Sequence, residues 1–147
     1  MKTNLQVVVV DDCGFEDYPR YAHDGDAGMD LRITHETYLL PNERETVGTG
    51  IKVAIPNGYV GLVFPRSGLA SKLGISLSNC VGVIDSGYRG EVGATLVNNS
   101  DHAVMLVRGE RVCQLVVMPY ASCEVVRTAV LPESERGDGG FGSTGLR

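Results

Sequence analysis

Residues 51–64, with the sequence IKVAIPNGYVGLVF, decide the class of fold to which this chain belongs. From Ile51 to Ile55 every second residue is a large aliphatic one, which is typical of a strand with one buried face. Pro56-Asn57-Gly58, a combination that favours a turn, follows, and the apolar run Tyr59–Phe64 comes next. This stretch therefore predicts two short β-strands separated by a turn.

Comparable apolar runs recur at intervals of about ten residues, with glycine and proline between them. Such spacing predicts an all-β sandwich or barrel. The segment Ser67–Gly74 differs, since a Ser cap, a short apolar face and a terminal Gly predict a helix of about two turns. The run Val112–Met118 is apolar apart from Gln114, so we expect cover on both of its faces. The other predicted strands are Leu5–Val10, Gly28–Ile33, Gly50–Ile55, Glu91–Val97, Val104–Val107 and Cys123–Val130.

The composition fits one folded domain of 147 residues and argues against several other classes of protein. Apolar residues make up 43% and charged residues 21%, so the chain can bury a core. The net charge of −5 argues against a general nucleic-acid binder, which usually has a basic surface. No run approaches the ~18 apolar residues of a membrane span, and no signal peptide is visible. We therefore expect a cytoplasmic protein that binds neither nucleic acid nor membrane.

The four cysteines, Cys13, Cys80, Cys113 and Cys123, form no Cys-x-x-Cys pair. Their spacing argues against both a zinc site and a disulfide framework. We expect reduced thiols.

The last twelve residues, RGDGGFGSTGLR from Arg136, differ in composition from the rest of the chain. Five of the twelve are glycine, so the segment has too little apolar surface to fold on itself. It is either a disordered tail or a mobile flap that becomes ordered over a ligand. Glycines permit close approach of the backbone, Ser143 and Thr144 offer hydroxyls to an anion, and Phe141 can stack on a base. These features favour the flap.

Three shorter motifs carry polar residues of a kind that binds ligands. In FPRSG (residues 64–68) an Arg stands beside a helix start, which favours phosphate, although many helices begin at Ser without a ligand. Gln114, an amide in an apolar strand, either completes a core network or faces a ligand. In AGMDL (residues 27–31), Asp30 either orients water near a metal or forms an ion pair with an arginine.

The segment NCVGVIDSGYRGE, residues 79–91, predicts a hairpin with its turn at Ser86-Gly87. Asp85 at the tip is either an ordinary turn residue or a catalytic base at the mouth of a cleft. Tyr88 is well placed to form a flat floor for a sugar or a base.

Taken in order, five segments closely resemble the five motifs of the trimeric dUTP pyrophosphatases, or dUTPases. Met29, Cys113 and the Ser86-Gly87 pair depart from the commoner residues of that family without removing a functional group. The resemblance covers nearly the whole chain, residues 22–145. The segments are AGMDL (27–31), PRSGLA (65–70), GVIDSGYRGE (82–91), GERVCQL (109–115) and RGDGGFGSTG (136–145).

The resemblance implies a homotrimer of jelly-roll, β-barrel-like subunits that hydrolyses dUTP to dUMP and pyrophosphate. It implies a barrel domain in residues 1–135 and an arm, residues 136–147, that closes over a neighbouring subunit's site. Each site would combine motifs from three chains. The implied cofactor is Mg²⁺, held by substrate phosphates and water rather than by direct protein ligands. Such an activity keeps uracil out of DNA and supplies dUMP for thymidylate synthesis.

The resemblance also implies roles for individual residues. Asp85 would hold and deprotonate the water that attacks the α-phosphorus, and Asp30 would order water, including the hydration shell of the metal. Arg136 would stabilise developing charge as an arginine finger does. The implied substrate-binding residues are Arg66, Ser67, Gly68 and Gln114 for the phosphates; Asn79, Gly82, Val83, Ile84, Asp85 and Tyr88 for the nucleoside; and Arg136, Phe141, Gly142, Ser143 and Thr144 in the arm.

Two other functions stay open on the sequence. A dCTP deaminase has the same fold, and Glu91 would then act on the cytosine ring. A regulatory module that binds dUTP together with a protein partner would need no catalysis. The glycine-rich tail and the Tyr-Arg-Gly-Glu segment, residues 88–91, favour the dUTPase.

Overall fold

The computed structural model describes residues 3–140, and its strands confirm the all-β class. This part of the chain contains ten strands and one helix, α1 (Ser67–Leu73). The strands are β1 (Gln6–Val9), β2 (Gly28–Arg32), β3 (Thr37–Leu39), β4 (Arg44–Ala54), β5 (Tyr59–Pro65), β6 (Ile75–Leu77), β7 (Gly82–Ile84), β8 (Glu91–Asn98), β9 (Val104–Leu106) and β10 (Arg111–Pro119).

The strands form two four-stranded sheets and one two-stranded sheet, and all paired neighbours are antiparallel. The first sheet has the order β1-β4-β8-β6, the second β2-β10-β5-β7, and the third β3-β9. All three contribute apolar side chains to one core, whose burial is the main term that stabilises the fold. The largest buried side chains are Leu31, Ile33, Leu39, Ile51, Ile75, Leu96, Leu106 and Leu115.

The predicted turn at residues 56–58 connects the two large sheets. Because β4 belongs to the first sheet and β5 to the second, the strands on either side of the turn do not pair with each other. The Tyr59 N–H donates to the Pro56 carbonyl over 3.1 Å, and Gly58 has a φ of +80°, a conformation that favours glycine. Strand β4 begins earlier than predicted and has an irregular register against β8 between Gly48 and Lys52.

The predicted helix is present, but Ser67 is not its N-cap. Arg66 precedes the helix with extended backbone, Ser67 is the first helical residue, and no side chain caps the end. The predicted end is confirmed, because Gly74 adopts a left-handed conformation and its N–H donates to the Ala70 carbonyl. Among the described residues, no helix is long and apolar enough to cross a membrane.

The predicted strand Cys123–Val130 is wrong. Strand β10 ends at Pro119, and residues 120–140 contain neither strand nor helix. A strand needs a hydrogen-bonded neighbouring strand, and residues 120–140 pair with none among the described residues. The side chains of Val125 and Val126 are consequently 93% and 75% exposed. We expected both faces of the run Val112–Met118 to be covered. Met118 is exposed, so within the described residues this cover is incomplete.

Residues 10–26, which carry no recognisable sequence motif, are fixed to the barrel by polar contacts. The buried Tyr18 hydroxyl donates to the Thr49 carbonyl over 2.6 Å and accepts the Arg32 N–H over 3.2 Å. Burial raises the pKa of Tyr18 to about 12, so the hydroxyl keeps its proton. Two hydrogen bonds from Arg108 pair it with Asp11 and lower the pKa of that carboxyl to about 2.

Asn98 provides the clearest test of the core, because it is a fully buried amide with every polar atom bonded. Its Nδ2 donates to the carbonyls of Leu39 and His102, and its Oδ1 accepts from the N–H and hydroxyl of Ser100. Asn98→Ala is expected to lower the free energy of unfolding by about 3 kcal/mol, since it leaves these buried groups without partners. Urea denaturation at fixed protein concentration measures the loss. The exposed Asn99→Ala is the control, and equal losses in the two variants would contradict this role.

Candidate active site

A carboxylate on β2 holds two arginines from neighbouring elements side by side. Asp30 Oδ1 accepts from Arg66 Nε over 2.8 Å, and its Oδ2 accepts from Arg111 Nη1 over 2.9 Å. Arg66 Nη1 also donates to the Arg111 carbonyl over 3.1 Å. These contacts orient both guanidinium groups before any ligand arrives. Of the two roles considered for Asp30 on sequence grounds, the structure contains the ion pairs; its role toward water stays a prediction.

The two arginines also border a groove of about 470 Å³. Arg32 and Arg108 extend this border, and Arg32 lies 3.6 Å above the centre of the Phe15 ring. In the described part of the chain, the only acidic residue that lines the groove is Glu110. A groove with four guanidinium groups, three of them paired with Asp11 or Asp30, is a candidate site for an anion in a chain of net charge −5.

Gln114 lies directly beside the ion-paired cluster. It is opposite Asp30 on β2 and opposite Phe64 on β5. Its Nε2 donates to the Pro65 carbonyl over 3.0 Å, so one amide hydrogen already has a partner within the chain. A Cβ on Gly28 would lie 2.5 Å from the Gln114 Oε1, so glycine leaves the room that this side chain occupies. Ser67 and Gly68 are exposed at the start of α1, immediately after Arg66.

An irregularity in β10 explains why Arg111 bonds to Asp30 although Gln114 is the residue that lies opposite it. Residues three apart in a regular strand point to opposite faces. The register against β2 shifts by one residue between Arg111 and Cys113, so Val112 and Cys113 are both buried in succession. We predicted no role for Arg111 from the sequence, and the bulge places its guanidinium next to Asp30. Burial raises the pKa of Cys113 to about 12, which makes it a core thiol and not a nucleophile.

The predicted hairpin is wrong. A turn does connect β7 to β8, but β7 pairs with β5 in the second sheet and β8 pairs with β4 and β6 in the first, so the two strands do not pair with each other. Residues 82–91 are called the β7–β8 segment below. A cavity of about 220 Å³ lies against this segment, and the Tyr88 hydroxyl donates to the Glu91 carbonyl over 2.9 Å. Asp85 is exposed at the tip, and its carboxylate has no hydrogen-bond or ion-pair partner within residues 3–140. The predicted residues that line the cavity are Asn79, Gly82, Val83, Ile84 and Tyr88.

Glu91 has a structural role that the sequence did not suggest. Its Oε1 accepts the Gly50 N–H over 2.8 Å, at the irregular part of β4. A Cβ on Gly48 would lie 2.5 Å from the same oxygen, so this glycine makes space for the carboxylate. A carboxylate committed to the backbone is a poor candidate for acting on a cytosine ring, which counts against the deaminase alternative.

The β7–β8 segment and the ion-paired cluster lie far apart in one chain. Ile84 pairs with Gly61 on β5, so Asp85 is level with Val60, whereas Asp30 is level with Phe64 through Gln114. Four residues along a strand span about 13 Å, and the three strand spacings from β2 to β7 add about 14 Å across the sheet. The Cα atoms of the two aspartates are therefore separated by about 19 Å. Within one chain, Asp30 and Asp85 belong to opposite edges of the second sheet.

The arm is only partly described. Arg136 is exposed, and its Nε donates to the Gly139 carbonyl over 2.6 Å within a local turn. The Arg136 carbonyl accepts the Gly139 N–H over 3.1 Å, and within residues 3–140 the guanidinium has no other hydrogen bond, so the structure does not bring it to either half of the site. The other predicted arm residues, Phe141, Gly142, Ser143 and Thr144, lie outside the described residues.

Comparison with known sequences identifies relatives over most of the chain. A family model described as dUTPase matches residues 16–145. The deoxyuridine 5'-triphosphate nucleotidohydrolase of Cutibacterium acnes is 50% identical over 132 residues, which cover 89% of this chain and 87% of that protein. The corresponding protein of Tropheryma whipplei is 48% identical over 128 residues, 86% of this chain and 88% of that one.

Solved structures of dUTPases share the fold. A mutant dUTPase of Staphylococcus bacteriophage 80alpha with dUpNHpp superposes with a TM-score of 0.89 at 29% identity, covering 99% of this chain and 100% of that one. A mutant dUTPase from phage phi11 of S. aureus, described with a structural Mg(II) ion, has a TM-score of 0.80 at 26% identity. That match covers 89% of this chain and 100% of the phage chain.

The ion-paired cluster predicts a measurable affinity for inorganic tripolyphosphate. Arg111→Gln removes one oriented guanidinium and is expected to weaken binding about tenfold, because a charge-assisted hydrogen bond is lost. Isothermal titration calorimetry measures the affinity. Arg44→Gln is the matched control, since Arg44 is exposed and its side chain has no partner within the described chain. Equal affinities for the two variants would exclude Arg111 from anion binding.

Proposed function

Because this chain belongs to the dUTPase family, we propose that it hydrolyses dUTP to dUMP and pyrophosphate. The observation that carries the proposal is the contrast between the two site carboxylates. Asp30 is neutralised by two arginines that suit phosphate, whereas Asp85 is unpaired beside a cavity bounded by Tyr88. The chain thus has one group of residues for the triphosphate and another for a nucleoside and a water molecule.

Asp85 is the general base in this proposal. An unpaired carboxylate accepts a proton from water, which is a poor nucleophile in its neutral form. The water oxygen then forms a bond to the α-phosphorus, and the bond from that phosphorus to the bridging oxygen breaks. Pyrophosphate leaves with the bridging oxygen, and Asp85 returns its proton to solvent.

Arg66, Arg111 and Gln114 bind the phosphate chain, together with Ser67 and Gly68 at the start of α1. The net charge of the chain is −5, so a triphosphate is attracted only by local groups. Guanidinium groups provide charge-assisted hydrogen bonds that strengthen as negative charge develops on the leaving pyrophosphate. Asp30 contributes by holding the two arginines in place. We propose Arg136, Ser143 and Thr144 as further phosphate ligands from the arm.

Mg²⁺ fits this site as an ion carried by the triphosphate. No three His, Cys, Asp or Glu side chains within residues 3–140 are grouped so as to hold a metal, and both oxygens of Asp30 face arginines. Mg²⁺ commonly keeps several waters and binds through substrate phosphates, where it neutralises their charge. Among the described carboxylates of the site, Asp85 is the one free to contact water around such an ion.

The nucleoside occupies the cavity beside the β7–β8 segment in this proposal. Backbone groups from Val83 to Tyr88, with the Asn79 amide, pair with the edge of uracil. The ring of Tyr88 packs on the deoxyribose and leaves no room for a 2′-hydroxyl, so UTP is excluded. Phe141 of the arm stacks on the base.

The active unit is a homotrimer whose sites are shared between chains. The separation of about 19 Å between the Cα atoms of Asp85 and Asp30 supports a site in which one chain supplies the β7–β8 segment and another the phosphate cluster. The extended, exposed apolar residues after β10, Val125 and Val126 among them, provide a surface for contact with a second copy. Residues 136–147 then close over a neighbouring site. The cytoplasmic location expected from the sequence stays a prediction.

Asp85→Asn is expected to lower kcat for dUTP by at least about a hundredfold, because the amide cannot accept the proton of the attacking water. Binding of a non-hydrolysable dUTP analogue should change little. Release of pyrophosphate measures the rate, and the fully exposed Asp101→Asn is the matched control. Normal turnover by Asp85→Asn would reject the assigned base.

The identity of the products separates hydrolysis from deamination. With dUTP the wild-type protein is expected to release pyrophosphate in equal amount to dUMP, and with dCTP no ammonia. Phosphate-coupled and ammonia-coupled assays on the same preparation measure both. Ammonia from dCTP, without pyrophosphate from dUTP, would replace this function by the deaminase alternative.

A further inference from the structure

Arg89 bridges the turn between β7 and β8 through two hydrogen bonds to backbone carbonyls. Its Nη1 donates to the Ser86 carbonyl over 2.7 Å and to the Tyr88 carbonyl over 2.7 Å. These two carbonyls lie on either side of Gly87. The guanidinium therefore spans the turn and connects its first half to its second half.

No residue of this turn, from Asp85 to Gly90, is buried. Its shape accordingly depends on hydrogen bonds and not on packing in the core. The turn is closed by the Tyr88 N–H, which donates to the Asp85 carbonyl over 3.1 Å. At its far end the Tyr88 hydroxyl donates to the Glu91 carbonyl, and the Glu91 carboxylate is held by β4. Arg89 is the one described side chain that bonds to the tip itself, at Ser86.

We propose that Arg89 is a positioning residue that determines selectivity for the deoxyribonucleotide. This inference rests on the proposed function, because the selectivity is that of dUTP over UTP. Arg89 contacts the backbone of Tyr88 and touches no substrate atom. By fixing the carbonyls of Ser86 and Tyr88, it fixes the position of the Tyr88 ring and of the Asp85 carboxylate relative to each other.

The chemistry of arginine suits this task. One guanidinium nitrogen carries two hydrogens in a fixed plane, and each hydrogen meets one carbonyl. The bonds are charge-assisted and therefore stronger than those of a neutral amide. A displaced Tyr88 ring would leave space beside C2′ of the sugar, so loss of the two Arg89 hydrogen bonds admits a 2′-hydroxyl.

The test compares Arg89→Gln, Arg89→Lys and the control Arg44→Gln. The measured quantity is kcat/KM for dUTP divided by kcat/KM for UTP. Arg89→Gln is expected to lower this ratio about tenfold, mainly through a lower KM for UTP, because the displaced Tyr88 ring admits the 2′-hydroxyl. Arg89→Lys should restore part of the ratio, because an ammonium still donates charged hydrogen bonds. Arg44→Gln should match the wild type. General destabilisation would instead lower kcat for both nucleotides and leave the ratio unchanged.

Hydrogen–deuterium exchange of the ligand-free protein provides a second measurement that needs no activity. Peptides that contain residues 85–90 should exchange faster in Arg89→Gln than in the wild type, with unchanged exchange in β4 and β10. Unchanged exchange in residues 85–90 would overturn the proposal. So would faster exchange there with an unchanged ratio of kcat/KM for dUTP to kcat/KM for UTP. Absence of dUTP hydrolysis by the wild type would refute the proposed function instead, and the exchange data would still decide whether Arg89 holds the turn.

Discussion

The pairing of β7 with β5 is the constraint on which the site depends. Ile84 lies opposite Gly61, so the turn that follows β7 projects beyond one end of β5, whereas Arg66 follows the other end. The register of a sheet with one buried face cannot slip, because a shift of one residue would turn its apolar side chains outward. The distance between the two halves of the site is therefore a fixed property of the folded chain. In the proposed trimer, a substrate that contacts both halves lies between two chains.

The two carboxylates of the site have the same chemistry but different surroundings, and the surroundings decide what each does. Asp30 is enclosed between two arginines and a strand, so it organises positive charge for a polyphosphate. Asp85 stands on an exposed turn without a partner, so its oxygens are available to water and to a ligand. The turn itself is held from the side by Arg89 and from its base by Glu91. The proposed roles in phosphate binding and proton transfer thus fall at different strands of one sheet.

Much of this arrangement follows from local sequence. Short apolar runs separated by turn residues predicted most strands, and the five motifs predicted the family. Contacts that depend on register could not be found in this way. The bulge that brings Arg111 next to Asp30 arises where β10 meets β2, and the bond from Gly50 to Glu91 joins residues 41 positions apart. The wrong strand at Cys123–Val130 has a similar origin, because apolar β-branched residues indicate a strand but not whether the same chain supplies its neighbour.

Complementation between two inactive variants tests the shared site most directly. Asp85→Asn and Arg66→Gln chains, each with a different affinity tag, are unfolded, mixed in equal amounts and refolded, and the doubly tagged assemblies are assayed for pyrophosphate release from dUTP. If each site takes Asp85 from one chain and Arg66 from another, about a third of the sites in the doubly tagged trimers contain both intact residues. We expect these assemblies to show about a third of the wild-type activity. Mixed assemblies no more active than either parent would show that both residues must come from one chain, and would contradict a shared site.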